Sequence, residues 1–176
     1  MNIPPGLRLD VDDRPADADV EVLPNGLEAF NESRWPGHQK WQPLAVFARE
    51  RETIVAGLAG ETYSGWLFIK YLWVSDALRR KGVGRELVGA AESKAFERGC
   101  HSAWVDTFSF QAPGFYRKLG YVRFGELDYP PDFKRIFLRK RLGDPKSKPT
   151  AMNAKPGATK SKPDATKSKL AAIKSK

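Results

Sequence analysis

The spacing of hydrophobic and polar positions switches between two periods along this chain. Residues 44–49 and 53–61 are short, mainly apolar runs separated by the charged Arg51-Glu52, the pattern of a hairpin. Residues 66–75 are almost continuously apolar, as expected of a central strand covered on both faces. Lys70 interrupts that run, which predicts a bulge or a face opening on a cleft. From 82 to 98 the period lengthens: Val83, Leu87, Ala91 and Ala95 fall on one side of a helix, and Gly99 suits its end. Residues 102–108 read as a strand and 113–119 as a short helix stopped by Gly120. Residues 121–127 and 135–139 read as closing antiparallel strands. Ahead of the hairpin, residues 20–23 read as a first strand, with 8–11 as its rival. Residues 24–34 read as a short helix with Leu27 and Phe30 on one face, and 35–41 as a loop. This order predicts an α/β body with a mixed sheet flanked by helices.

Charge divides the chain unevenly. Of the formal +9, +7 lies between Gly143 and Lys176, where 9 lysines face 2 aspartates. That stretch holds no aromatic residue and repeats every seven positions from Lys155, Lys162 and Lys169, with proline in two of the three units. Such a composition cannot offset the entropy of ordering, so residues 143–176 are expected to be a disordered basic tail behind a folded domain, 1–142. Two uses fit the tail: a solubilising appendage, or a polycation contacting nucleic acid. The apolar runs are too short to span a bilayer, so no membrane is expected. The N-terminal residues lack the apolar core of a signal peptide, which favours the cytoplasm. A single cysteine, Cys100, excludes an internal disulfide and a multi-cysteine metal site, and no metal is expected.

The chemistry concentrates in Arg79-Arg80-Lys81-Gly82-Val83-Gly84-Arg85, at a junction between strand and helix. Glycines there allow a tight turn and close approach to a ligand. The new helix offers unpaired N–H groups and a positive dipole end, surrounded by cations. This is a phosphate site. No Gly-Lys-Ser/Thr follows, so it is not a P-loop. Leu87 stands where a dinucleotide fingerprint carries glycine or alanine.

Arg-x-x-Gly-x-Gly on such a turn, followed by Phe115-Tyr116-Arg117-Lys118-Leu119-Gly120-Tyr121, resembles the GNAT (Gcn5-related) N-acetyltransferase family. The pattern extends over residues 44–142. Within the family, residues 106–114 look like a subgroup of small bacterial enzymes of unassigned substrate. The resemblance implies splayed central strands and acetyl-CoA as cosubstrate. Leu72, Trp73 and Val74 would meet the pantetheine arm. Arg79, Arg80, Lys81, Gly82, Val83, Gly84 and Arg85 would meet the pyrophosphate, with Phe115 beside them. It further implies direct attack of a primary amine in a ternary complex, with an oxyanion donor near Leu72 and Tyr116 as general acid. The acceptor is left open between a small-molecule amine and a protein lysine, and a homodimer is compatible with the family.

The general base is the weak point. Many relatives carry a glutamate on the central strand where this chain has Phe68. Glu61 and Asp106 rank first among the replacements, ahead of Glu126 and Asp128, with water-mediated proton loss as an equal alternative. His38 and His101 have suitable chemistry, although His101, just past the helix end, suits the surface. Ser109 stands where many relatives have asparagine, and Gln111 is a candidate to take over its cofactor contact. Cys100 reads as an ordinary buried thiol. Trp35, Trp41, Trp66 and Tyr63 suit an acceptor pocket, but a core role is the safer reading for most of them, Trp35 and Trp41 being the exceptions. The missing acid also keeps a nonenzymatic acyl-CoA-binding regulator in view, alongside a nucleic-acid-associated protein acting through its tail.

Overall fold

The computed structural model describes residues 4–143; the basic tail expected from 143 onward lies, but for its first residue, outside the described residues. In chain order the elements are α1 (Asp17–Arg34), β1 (Gln42–Glu50), β2 (Thr53–Tyr63), β3 (Trp66–Val74), a 3₁₀ turn (Asp76–Leu78), α2 (Val83–Glu97), β4 (Ser102–Phe108), α3 (Pro113–Lys118), β5 (Val122–Tyr129) and β6 (Phe133–Arg141). The six strands form one sheet in the order β1-β2-β3-β4-β6-β5. Only β3 and β4 run parallel, so the sheet is mixed, as the alternation of periods predicts.

The core lies on one face of this sheet. Leu87, Val88, Ala91 and Ala95, at helical spacing along α2, bury themselves against Ala56, Leu58, Leu67, Ile69, Ala103 and Val105 from the strands. Tyr116 and Tyr121 complete it. Cys100 is buried there, and burial pushes its thiol pKa up.

The N-terminal expectation fails. Residues 20–23 are not a strand but the second turn of α1, and residues 8–11 form no regular element. The helix begins at Asp17 and runs through Pro24. Asp17 and Asp19 suit its positive end, and an internal helix satisfies backbone groups for which the sheet offers no partner strand. The apolar face predicted from Leu27 and Phe30 stays in solvent, and no residue of α1 is buried.

The Lys70 interruption is a bulge. Ala59 pairs with Tyr71 and Gly60 with Ile69, so Lys70 is the extra residue of β3. A Cβ on Gly60 would lie 2.1 Å from the Phe68 carbonyl oxygen, so only glycine fits there. Beyond the bulge, β3 leaves β4. The parallel ladder covers residues 66–69 against 102–105 and then stops, while Leu72–Val74 continue to pair with β2 and Asp106–Phe108 with β6.

Two glycine substitutions separate close approach from ordinary helix propensity. Gly60→Ala is expected to destabilise the fold by about 1–3 kcal/mol through overpacking. Gly89→Ala, in open space inside α2, is expected to stabilise it by about 1 kcal/mol. Thermal melts of both variants against the wild type check this. A Gly60→Ala melt matching the wild type contradicts the contact at the bulge.

Candidate active site

Where β3 and β4 part, a cleft of about 820 Å³ opens. It is lined by Leu72, Trp73 and Val74 from β3, by Arg79, Arg80, Gly82, Gly84 and Arg85 at the start of α2, and by Gln111, Phe115 and Lys118 around α3. Ten of the twelve residues expected at the cofactor therefore share one cavity. Lys81 and Val83 do not line it. Val83 packs against the core instead.

The mouth of the cleft is the N-terminus of α2. Gly82 adopts a left-handed conformation (φ 89°) and caps the helix without any side-chain hydrogen bond. Its carbonyl accepts from the N–H groups of Arg85 and Glu86, which leaves those of Val83 and Gly84 open to a ligand. Arg80, with φ 62°, carries the turn. A Cβ on Gly84 would meet the Phe115 ring at 3.3 Å, so glycine lets α2 and α3 approach here. The Arg79 guanidinium is partly committed to its own loop: it donates to the Val74 carbonyl (3.1 Å) and pairs with Asp76 (2.8 Å). Arg80 and Arg85 make no salt bridge among the described residues. Gln111 accepts from the Thr107 hydroxyl (3.1 Å) and the Phe108 N–H (2.9 Å), which ties its amide oxygen to the end of β4. Ser109 is used differently. Its hydroxyl accepts from the Lys134 N–H (3.1 Å) and fastens β4 to β6.

Tyr116 is buried between the rings of Phe115 and Tyr121. Desolvation, reinforced by the negative charge of Asp106, pushes its phenol up to about 12. The phenol therefore keeps its proton throughout the neutral range and can act as a donor. Asp106 meets Arg135, whose Nε donates to it at 2.6 Å. Glu61 lies directly across from Phe68 in the β2–β3 register, on the same face of the sheet, and pairs with Lys70 at 2.9 Å. The acid missing from β3 is thus matched by one on the neighbouring strand. The two-residue turn Ser64-Gly65 sets this register, pairing Tyr63 with Trp66 and Glu61 with Phe68, and the bulge comes only beyond it. Glu126 and Asp128 both accept from Lys134 on the β5–β6 edge.

The opposite face of the sheet carries a second cavity of about 630 Å³, walled by Trp35, Trp41, Tyr63, Trp66, Phe68, Trp104, Phe124 and Phe137, with Arg139 at its edge. The core reading of Trp66 and Tyr63 is therefore corrected. Both are half-buried and face this cavity, because no helix covers that face. Trp35 and Trp41 are about half exposed at its rim. His101 is exposed, as expected. His38 is buried beneath Trp35 and Tyr63. Its Nε2 faces Glu28 at 3.3 Å, and its Nδ1 faces Glu32 at 3.2 Å and the Trp35 carbonyl at 3.0 Å. This imidazole links α1, which buries nothing apolar, to the loop carrying the tryptophans.

Among the described residues no cluster of side chains suits a metal ion, and no helix is long and apolar enough to cross a membrane. The family model for the Acetyltransferase (GNAT) family matches residues 12–121. The chain belongs to the GNAT acetyltransferase family. This GNAT protein is 39% identical over 107 residues to the blasticidin-S acetyltransferase of Streptomyces morookaense, a match covering 57% of this chain and 79% of that one. It superposes on a proposed acetyltransferase from Agrobacterium tumefaciens with a TM-score of 0.72 and 28% identity, over 77% of this chain and 99% of the other. The same fold occurs in a proposed streptothricin acetyltransferase of Bacillus anthracis in complex with acetyl coenzyme A. There the TM-score is 0.52 and identity 20%, over 62% of this chain and 66% of that one. The GNAT chain is an acyltransferase, on the fold of acetyl-CoA-dependent N-acetyltransferases.

The buried histidine generates a pH prediction. The hydrogen bond to Glu28, with the nearby charge of Glu32, raises the His38 pKa above its ordinary 6.5 against the opposing effect of burial. Its contribution to stability is therefore complete below pH 6.5 and is lost as pH rises through the raised value. The difference in melting temperature between wild type and His38→Gln is expected to be largest near pH 6 and to narrow toward pH 9. A difference independent of pH over that range contradicts the charged imidazolium bridge.

Proposed function

We propose that this GNAT enzyme moves the acetyl group of acetyl-CoA to the primary amine of a small molecule, by direct attack in a ternary complex. The parting of β3 and β4, with an uncapped helix N-terminus at its mouth, carries this reading. Open strand edges suit the amides of a pantetheine arm along Leu72–Val74. The free N–H groups of Val83 and Gly84, with Arg80 and Arg85, suit a pyrophosphate. The relative's action on blasticidin S, as its name gives it, favours a small-molecule acceptor over a protein lysine. Residues 1–142 would then form the whole catalytic domain.

An alkylammonium near pKa 10.4 must lose a proton before it attacks. Glu61 is assigned that role ahead of Asp106, because it lies beside Phe68 and its ion pair with Lys70 is longer and more exposed than that of Asp106 with Arg135. Attack forms the C–N bond and a tetrahedral oxyanion, which a backbone N–H near Leu72 stabilises. Collapse breaks the C–S bond, and Tyr116 gives its proton to the departing thiolate. The raised pKa of Tyr116 keeps the donor form available.

Release of free thiol from acetyl-CoA in the presence of a broad amine panel tests this. Tyr116→Phe is expected to lower kcat by about 10²- to 10⁴-fold, with the KM for acetyl-CoA little changed. Glu61→Gln is expected to lower kcat with the KM for acetyl-CoA little changed. Full activity in either variant removes that residue from the mechanism. Tight acetyl-CoA binding with no amine acetylated by the wild type would favour an acyl-CoA-binding regulator instead.

A further inference from the structure

One row of side chains crosses four strands on the uncovered face of the sheet. Glu61 pairs with Phe68, Phe68 with Trp104, and Trp104 with Arg139. The row has a carboxylate at one end, a guanidinium at the other and two aromatic rings between. The Phe68 and Trp104 rings stack at 3.9 Å and 8°. A second stacked pair, Trp41 and Tyr63 (4.4 Å, 14°), stands at the rim of the same cavity. Three strand spacings put the ends of the row about 14 Å apart at the backbone. The row sits at the last rungs before β3 and β4 separate, immediately next to the cleft assigned to the thioester.

From this row we infer that the acceptor is a flat aromatic ring bearing an aminoalkyl group, with an oxygen-rich group, carboxylate or carbonyl, on the edge opposite its amine. The ring would lie against the stacked aromatics, with the oxygen group on Arg139 and the amine toward Glu61. The inference rests on the acetyl-transfer reading and adds the acceptor's class to it.

Three observations select this occupant. Arg139 makes no salt bridge among the described residues, and its guanidinium lies over the Phe124 ring, 5.8 Å from the centroid. A guanidinium placed so takes a carboxylate or carbonyl in its planar fork. The cavity walls beside Arg139 are almost entirely aromatic up to Phe68, with Glu61 next in the row beyond that lining, which favours a π-face over a flexible chain. At the other end, the Glu61–Lys70 pair is partly solvent-exposed, so an incoming ammonium can share that carboxylate at little cost. An apolar partner surface, such as a second copy of the chain, would leave both ends of the row unmatched.

Four of the five tryptophans line this cavity, so fluorescence reports its occupancy directly. The probes are 4-(aminomethyl)benzoate, its ring-saturated analogue trans-4-(aminomethyl)cyclohexanecarboxylate, and benzylamine, titrated into the full chain. The aromatic acid is expected to bind about tenfold more tightly than the saturated one. Arg139→Ala should erase its advantage over benzylamine. Trp41→Leu, at the exposed rim where folding is not at stake, should erase much of the preference for the aromatic ring. Equal affinity for the aromatic and saturated acids, or no saturable binding of the aromatic acid, overturns the inference. Thiol release with the same probes separates the two readings. Selective binding with turnover supports both. Acetylation of all three probes at equal efficiency overturns the aromatic assignment and leaves acetyl transfer standing. Selective binding with neither probe nor any other amine turned over overturns acetyl transfer, and with it the assignment of this row to an acceptor.

Discussion

Hydrogen bonding between β3 and β4 stops at Ile69 and Val105, and the site is built on that stop. A parallel ladder that ends within the body of a sheet leaves main-chain donors and acceptors facing a gap, at a cost that a ligand or water must offset. The cause is local. The extra residue Lys70 bends β3, and the bulge is possible only because Gly60 offers no Cβ to the Phe68 carbonyl. The α2 N-terminus opens on the same gap, again with unpartnered N–H groups. Two kinds of unsatisfied backbone thus converge, one suited to amides and one to phosphates. A single ligand carrying both groups in sequence, as coenzyme A does, satisfies them together.

The two faces of the sheet divide the work. On one, α2 packs its aliphatic stripe onto the strands, and Tyr116 is held in that core with its phenol well protonated. On the other, no helix intervenes, and the carboxylates sit in pairs with cations: Glu61 with Lys70, Asp106 with Arg135. The phenol and the carboxylates thus belong to opposite faces of the sheet.

Much of this was legible in the sequence because it is local. The period change at Gly82, the glycine pair at the turn and the Phe115-Tyr116 helix each announce themselves within a few residues, and the strands from 42 onward follow their apolar runs. The lysine within the apolar run of β3 signalled the bulge for the same reason. What escaped depends on tertiary context. Val20 and Val22 favour a strand locally, yet the sheet has no place for one, and the acidic first turn carries the helix through. That Glu61 is already paired, with the bulged Lys70, is a contact between strands that spacing along the chain does not show. Tyr63 and Trp66 look like core residues by composition. They line a cavity because α1, the helix placed to cover them in sequence order, buries none of its residues.

An uncovered aromatic face is costly in water unless something occupies it, and here the rings satisfy part of one another's demand by stacking. That stacking has a second consequence. A side chain already held against its neighbour loses little rotamer freedom when a ligand arrives, so binding to such a wall gives up less conformational entropy than binding to scattered, mobile groups. His38 extends the same effect. Its bridge from Glu28 and Glu32 to the Trp35 carbonyl fixes the loop that carries two of the rim aromatics, using polar contacts where α1 has no apolar ones to offer. The rigidity of this face therefore comes from stacked rings and one imidazole, not from a helical layer. A face built in this way can hold a flat ligand without first having to close over it.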